Sequence, residues 1–89
     1  MAEPKQPALV FPLPFSLKVM GKNEADFDRL VLSLMSNHIP GLDMAALTIR
    51  PSTDGNFVSI TIPFVAESRE QLDAIYRELS QNERVLMVL

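Results

Sequence analysis

The chain has 89 residues, of which 47% are hydrophobic and 21% are charged, and it contains no cysteine. This predicts one small globular domain and excludes disulfide bonds, thiolate metal sites and a cysteine nucleophile. The net charge is −3 without any Lys/Arg block, and no apolar run approaches the roughly 18 residues of a membrane span. We therefore expect a cytoplasmic protein that binds neither nucleic acid nor membrane.

The chain begins without regular periodicity and then alternates. Residues 1–13 hold three of the seven prolines, which predicts a flexible Pro-rich lead-in to a single domain over residues 14–89. Residues 14–21 alternate as a half-buried strand does, and the strand is expected to end at Gly21. The inward set is Phe15, Leu17 and Val19, and the outward set is Ser16, Lys18 and Met20.

A helical period follows Gly21. Asn23 is the predicted N-cap, and Pro40 with Gly41 is predicted to end the helix. His38, near that end, is expected to cap the helix or to lie on the surface, because no other ligand-type residue has metal-site spacing to it. The apolar stripe consists of Phe27, Leu30, Val31, Leu34 and Met35.

Two further strands are predicted in the middle of the chain. Residues 44–51 read as a second strand with Leu47 and Ile49 facing inward. The third strand alternates up to Pro63, where we expect the pairing to end or to bulge, because proline cannot donate within a central ladder. Its inward set is Val58, Ile60, Ile62 and Phe64.

The last part of the chain predicts a helix and a strand. Residues 68–71, Ser-Arg-Glu-Gln, form a capping-box sequence that opens the second helix. Residues 84–89 are nearly all apolar, which predicts a strand that is covered on both faces or contacts a partner. The order β-α-β-β-α-β predicts an α+β, ferredoxin-like sandwich, with a four-stranded antiparallel sheet and both helices on one face. Right-handed crossovers place the first and third strands in the centre.

The segment RPSTDGNFVSITI, residues 50–62, contains small hydroxyl residues and an Asp-Gly pair that suggest a phosphate-binding loop. A hairpin is favoured, since a strand follows the loop and the glycine spacing of phosphate motifs is missing. Pro51 favours a four-residue loop, 53–56, because that loop turns the missing N–H away from the partner. In this register Ile49 faces Ile60 and Leu47 faces Ile62. The predicted structural hairpin residues are Pro51, Ser52, Asp54, Gly55 and Asn56, with Gly55 or Asn56 left-handed.

The same register gathers polar residues on the helix-free face. Arg50 faces Ser59 and Thr48 faces Thr61, while Lys18 lies on the neighbouring strand. Two interpretations remain open: an ordinary solvated sheet surface, or a cationic patch for an anionic ligand or an acidic partner. No catalytic triad or paired-carboxylate arrangement is indicated, so we expect neither an enzyme nor a cofactor.

Three segments resemble the YbeD-like family of small uncharacterised bacterial proteins: FPLPFSLKVMG, the hairpin segment and the terminal RVLMVL. The resemblance covers residues 11–89. The first motif is matched by Phe11, Pro12, Pro14, Phe15, Lys18, Val19, Met20 and Gly21. The second is matched by Pro51, Ser52, Gly55, Ser59, Ile60 and Thr61, and the third by residues 87–89.

This family is similar in fold to ACT regulatory domains, which bind amino acids between paired sheets. The resemblance implies a regulatory or binding domain, with Gly21 at the turn where a ligand approaches the backbone. It also implies an association of some relatives with lipoate-attachment genes. We expect a self-associating small-ligand domain or, alternatively, an adaptor for a larger enzyme. The candidate ligand or partner face comprises Lys18, Gly21, Arg50, Ser59 and Thr61.

Overall fold

The computed structural model describes residues 9–89, so residues 1–8 of the predicted lead-in lie outside the described part. The elements are β1 (Leu13–Lys22), α1 (Phe27–Ser36), a 3₁₀ turn (Met44–Ala46), β2 (Thr48–Pro51), β3 (Phe57–Ala66), α2 (Arg69–Gln81) and β4 (Val85–Val88). The strands form one four-stranded sheet in the order β2-β3-β1-β4, and all neighbours are antiparallel. This confirms the α+β ferredoxin-like arrangement with β1 and β3 in the centre.

The core lies between the sheet and the two helices. Alternate residues of β1 and β3 point into it, and the ten-residue ladder from Leu13↔Ala66 to Lys22↔Phe57 keeps these residues on one face. Each helix contributes one stripe at helical spacing. The fully enclosed side chains include Leu17, Val19, Phe27, Val31, Met35, Ile60, Ile62 and Ile75. Burying one such side chain stabilises the fold by about 1.5–3 kcal/mol.

The β2–β3 hairpin has the predicted register and loop. Ile49 lies opposite Ile60, and the backbone N–H of Ser52 donates to the carbonyl of Phe57 at 2.8 Å. That bond closes a four-residue loop over 53–56, and Gly55 has φ +78°, so glycine takes the left-handed position. Pairing begins at Thr48, and the expected pair of Leu47 with Ile62 is not part of the ladder.

The second strand is shorter than predicted. Met44–Ala46 forms the 3₁₀ turn, which begins where the Asp43 carboxylate accepts a hydrogen bond from the Ala45 N–H at 3.1 Å. This local side-chain bond competes with an extended conformation. Ile49 lies on the helix side of the sheet opposite Ile60, as expected, but it is 43% exposed, because β2 is an edge strand to which neither helix packs closely.

The strand end expected at Pro63 is wrong, since β3 continues to Ala66 and Pro63 lies opposite Ser16. Lys18 exchanges both backbone hydrogen bonds with Leu89, so its polar groups point toward β4. Thr61, opposite Lys18, therefore directs its own N–H and C=O away from β1 and toward β2, and Pro63, two residues further on, has the same direction. The β2 strand begins at Thr48, opposite Thr61, and so does not extend as far as Pro63. No ladder bond needs an N–H from Pro63.

The predicted N-cap of the first helix is also wrong. The helix begins at Phe27 after Asp26, whose side chain makes no capping bond. Asn23 instead bonds to the hairpin: its N–H donates to the Asn56 carbonyl and its Nδ2 donates to the Gly55 carbonyl, both at 3.0 Å. Asn23, predicted as a helix cap, therefore connects the β1–α1 turn to the β2–β3 hairpin loop.

The capping box of α2 is confirmed on one side. Ser68 Oγ accepts from the Gln71 N–H at 3.1 Å. Gln71 Oε1 accepts from the Glu67 N–H at 2.7 Å, and its Nε2 donates to the His38 carbonyl at 3.1 Å. Gln71 thus connects the start of α2 to the end of α1.

Candidate functional site

Four of the five predicted face residues lie together on the side of the sheet opposite α1 and α2. Lys18 is opposite Thr61, and Arg50 is opposite Ser59, on the three adjacent strands β1, β3 and β2. Both cations are exposed, and the two hydroxyl residues between them are half-buried. We call the uncovered side of the sheet the open face.

Gly21 is not on the open face. It is buried, and a Cβ built on it would lie 2.4 Å from the Phe27 ring and 2.7 Å from the Arg84 carbonyl oxygen. Atoms of the protein itself therefore occupy the space that a glycine leaves at this turn. The absence of a side chain at Gly21 lets Phe27 pack against the end of β1. Gly21 is therefore not grouped with Lys18, Arg50, Ser59 and Thr61 on the open face.

The strand residues of the open face carry positive charge and include no acidic side chain. The four strands contain Lys18, Lys22 and Arg50 but neither Asp nor Glu, so the carboxylates of residues 9–89 all lie on helices and connections. Within that described part, the ion pairs involve only His38 and Arg84 as cations. The charges of Lys18 and Arg50 are therefore not neutralised by a salt bridge among the described residues.

Large apolar side chains surround these cations. Phe57, Val65, Met87 and Leu89 are 42%, 50%, 50% and 61% exposed. The register places Met87 opposite Met20 and Leu89 opposite Lys18, on the outward side. The last strand was expected to be covered on both faces or to contact a partner, and no other residue of 9–89 covers its outward side. Met87 and Leu89 are consecutive outward positions at the end of the chain, and exposed apolar patches often mark interaction sites.

Four cavities among the described residues have volumes between about 130 and 320 Å³. One on the open face has a volume of about 130 Å³ and is lined by Met20, Arg50, Phe57, Ser59 and three neighbours. Others of about 150 and 170 Å³ lie beside β2 and β4. A fourth, of about 320 Å³, lies near Lys22 and Arg84. Only the last reaches the lower limit of roughly 300–1,000 Å³ that is usual for ligand pockets.

An arginine clamp at one end of the sheet was not predicted. Arg84 Nη2 lies 2.7 Å from Asp26 Oδ1 and 2.9 Å from Glu24 Oε1, which joins the α2–β4 turn to the β1–α1 turn. Hydrogen bonding from Arg84 lowers the pKa of Asp26, and the same bond raises the pKa of Arg84. These residues lie about 60 positions apart, so no local sequence pattern indicates that they meet.

The only histidine also has a packing role. His38 Nε2 lies 2.5 Å from Glu78 Oε1, and Asn37 Nδ2 donates to the other oxygen of that carboxylate at 2.9 Å. The His38 side chain is 18% exposed and bridges the two helices, where a cap or a surface position was predicted. It lies on the helical layer and not on the open face.

A second carboxylate stabilises the hairpin turn. Asp54 Oδ1 accepts from Ser52 Oγ at 2.7 Å and from the Asn56 N–H at 3.0 Å. The Ser52 hydroxyl and the Asn56 backbone lower the pKa of Asp54.

Across residues 9–89, no helix has the length and apolar composition needed to cross a membrane.

The chain is similar in sequence to known proteins over nearly its whole length. The family described as "Protein of unknown function (DUF493)" matches residues 6–89. The chain belongs to this family. A relative named UPF0250 protein from Neisseria gonorrhoeae is 41% identical over 91 positions and is covered completely, as is this chain. UPF0250 protein RSc0326 from Ralstonia nicotianae is 37% identical over 86 residues, 97% of this chain and 89% of the relative.

The fold has a solved counterpart. The solution structure of protein HP0495 from H. pylori superimposes with a TM-score of 0.75 at 16% sequence identity, covering 96% of this chain and 89% of that one. At this identity the similarity concerns the fold alone. The family match and the relatives confirm the YbeD-like, DUF493/UPF0250 assignment, and the family is one of unknown function.

Proposed function

We propose that this protein is a non-catalytic docking module that binds an acidic surface of a larger protein through its open face. One observation carries the proposal: the strands place three cations, neither Asp nor Glu, and several exposed apolar side chains on the side of the sheet opposite the two helices. The outward strand residues include no carboxylate, imidazole or thiol to act as a general base, which favours binding over catalysis.

The sign of the charge favours a partner that is not a second copy of this chain. A symmetric face-to-face dimer would bring the cations of one copy toward those of the other, and like charges in an interface are unfavourable. An acidic partner surface would pair with Lys18 and Arg50 while its apolar residues cover Met87 and Leu89. Such complementarity raises the association rate and excludes wrong partners.

A self-associating ligand-binding domain is the second candidate. Its support is the edge strand β4, where Leu86 is 55% and Met87 50% exposed on an apolar four-residue segment. The filled space beside Gly21 weighs against a ligand at that turn. Light scattering at micromolar concentration tests this candidate, and a monomer there would remove it.

Site-specific photo-crosslinking tests the docking proposal. A photoreactive amino acid is placed at Thr48 on the open face or, as a control, at Asp73 on the exposed side of α2. After irradiation in cells, we expect a discrete crosslinked protein from position 48 that is absent from position 73. Mass spectrometry then identifies that protein.

Charge reversal supplies the second part of the test. Lys18→Glu with Arg50→Glu should abolish the crosslink from position 48. The matched control, Arg69→Glu with Arg77→Glu, makes the same total charge change on exposed helix positions and should leave the crosslink intact. Equal crosslinking from both positions, or loss in both double variants, would contradict docking through the open face.

A further inference from the structure

A recess on the open face has a defined chemical character. It lies where β2, β3 and β1 are adjacent, has a volume of about 130 Å³, and includes Arg50, Ser59, Met20 and Phe57 in its lining. The ladder places Arg50 opposite Ser59 and Ser59 opposite Met20. A guanidinium, a hydroxyl and a thioether therefore lie side by side across three adjacent strands. Phe57 is 42% exposed beside that row.

The polar part of the recess is suited to a carboxylate. A guanidinium presents donors in a planar fork that matches two carboxylate oxygens. Arg50 makes no salt bridge among the described residues, and the hairpin carboxylate of Asp54 is already held by Ser52 and the Asn56 N–H. Ser59 Oγ donates to the Arg50 carbonyl at 3.4 Å, a long bond that a better acceptor could replace.

The size of the recess limits what can enter it. A volume of about 130 Å³ is well below the roughly 300–1,000 Å³ of pockets that enclose small-molecule ligands. It is suited to the end of one side chain presented by a larger surface. A phosphorylated side chain is less suitable, since phosphate recognition typically uses several arginines together and this recess has one.

We infer that the Arg50 recess is the anchor of the docking surface and receives an Asp or Glu side chain of the partner, with a neighbouring apolar partner residue packed on Met20 and Phe57. This inference rests on the proposed docking function and adds the chemistry of its central contact. Arginine and aromatic residues are enriched among the residues that dominate interface energies.

Peptide titration followed by NMR tests the inference. The protein, labelled with ¹⁵N, is titrated with acetyl-Leu-Glu-Leu-amide, with its Gln analogue, and with its phosphoserine analogue, each to millimolar concentration. We expect the Glu peptide to shift the Arg50 Nε–Hε signal and the amides of Phe57 and Ser59. The Gln peptide should bind about tenfold more weakly, because a hydrogen bond to a charged group is lost.

Variants assign the effect to the recess. Arg50→Gln should remove the preference for Glu over Gln, whereas Arg77→Gln on α2 should leave it unchanged. A preserved spectrum outside the substituted site shows that each variant is folded. Tighter binding of the phosphoserine peptide, or equal binding of the Glu and Gln peptides, would overturn the carboxylate inference.

The same titration separates failure of the anchor from failure of the docking face. Shifts of the Glu peptide that centre on Lys18 and Leu89, away from Arg50, would overturn the recess as anchor and leave docking through the open face standing. No open-face shift with any peptide would overturn the anchor. The docking proposal would then be judged on the crosslinks from position 48, which do not depend on the recess.

Discussion

The two faces of the central ladder are built from the same ten-residue strands and have opposite properties. On one face, Val19 and Ile60 are opposite each other and fully enclosed beneath the helices. On the other face, the next pair, Lys18 and Thr61, carries an exposed cation and a hydroxyl. The difference shows that period-two alternation lets adjacent residues of one strand serve the core on one face and form an exposed polar surface on the other.

The largest expected difference between the faces concerns stability. Ile60→Ala should lower the free energy of unfolding by about 2–5 kcal/mol, because it leaves a cavity in a closed core. Thr61→Ala, its outward neighbour, should cost less than about 1 kcal/mol. Urea unfolding followed by circular dichroism measures both. If Ile60→Ala prevents folding, Ile60→Val should still cost about 0.5–1.5 kcal/mol. Similar losses at both positions would contradict the assignment of faces.

Gly21 sharpens the comparison at the end of the inner face. Gly21→Ala should destabilise the fold by about 1–3 kcal/mol, because its Cβ would overlap the Phe27 ring and the Arg84 carbonyl. Gly41 is the control: a Cβ built there would meet no atom within 4 Å, and its φ of +79° lies in the left-handed region. There alanine should cost about 1 kcal/mol from the backbone alone.

A double variant separates the two causes. Phe27→Leu should offset part of the loss from Gly21→Ala, a coupling seen in a double-mutant cycle. It should be additive with Gly41→Ala, since nothing lies within 4 Å of the Cβ position there. Additivity of Phe27→Leu with both alanine variants would contradict the steric origin at Gly21.

On the open face, the charge-reversal pair used for docking should change little in the isolated protein. Lys18→Glu with Arg50→Glu should shift the free energy of unfolding by less than about 1 kcal/mol, because both side chains are exposed and neither is in an ion pair of the described chain. Urea unfolding beside the Arg69→Glu, Arg77→Glu control measures this. A large loss confined to the open-face pair would indicate that these cations stabilise the fold.

The smallest expected effect concerns acid titration at the rim of the sheet and in the hairpin. The pKa values of Asp26 and Asp54 are both lowered, so each carboxylate contributes stability that is fully present above about pH 4. That contribution is lost as the pH falls through the folded-state pKa. Both groups are exposed, so the contribution should be small and should decrease with added salt.

Carboxyl NMR titration of two variants distinguishes the causes. Arg84→Gln should raise the pKa of Asp26 toward its usual range and leave that of Asp54 unchanged, because Arg84 donates to Asp26 alone of the two. Ser52→Ala should raise the pKa of Asp54 and leave that of Asp26 unchanged, because Ser52 donates to Asp54. A common shift of both carboxyls in either variant would indicate a general field of charge in place of the two local hydrogen bonds.

Much of the candidate site could be predicted because it depends on register. The hairpin of residues 51–56 places Arg50 beside Ser59, and the alternation of residues 14–21 places Lys18 on the same face of the neighbouring strand; its pairing with Thr61 comes from the structure. The exposed apolar residues around them were harder to predict, because the apolar segment 84–89 fits a buried strand and an uncovered edge equally well. Gly21 was assigned by resemblance, and only the position of Phe27 shows what fills the space beside it.

The sequence by itself determined the order of elements, the hairpin register and the face on which each strand residue lies, because these follow from local periodicity and turn chemistry. Only the tertiary structure decided the long-range contacts: Asn23 with the hairpin, Arg84 with Asp26, and His38 with Glu78. Each joins residues more than 30 positions apart, so their meeting depends on how the helices and loops settle on the sheet. The recess at Arg50 likewise arises only where three strands come together.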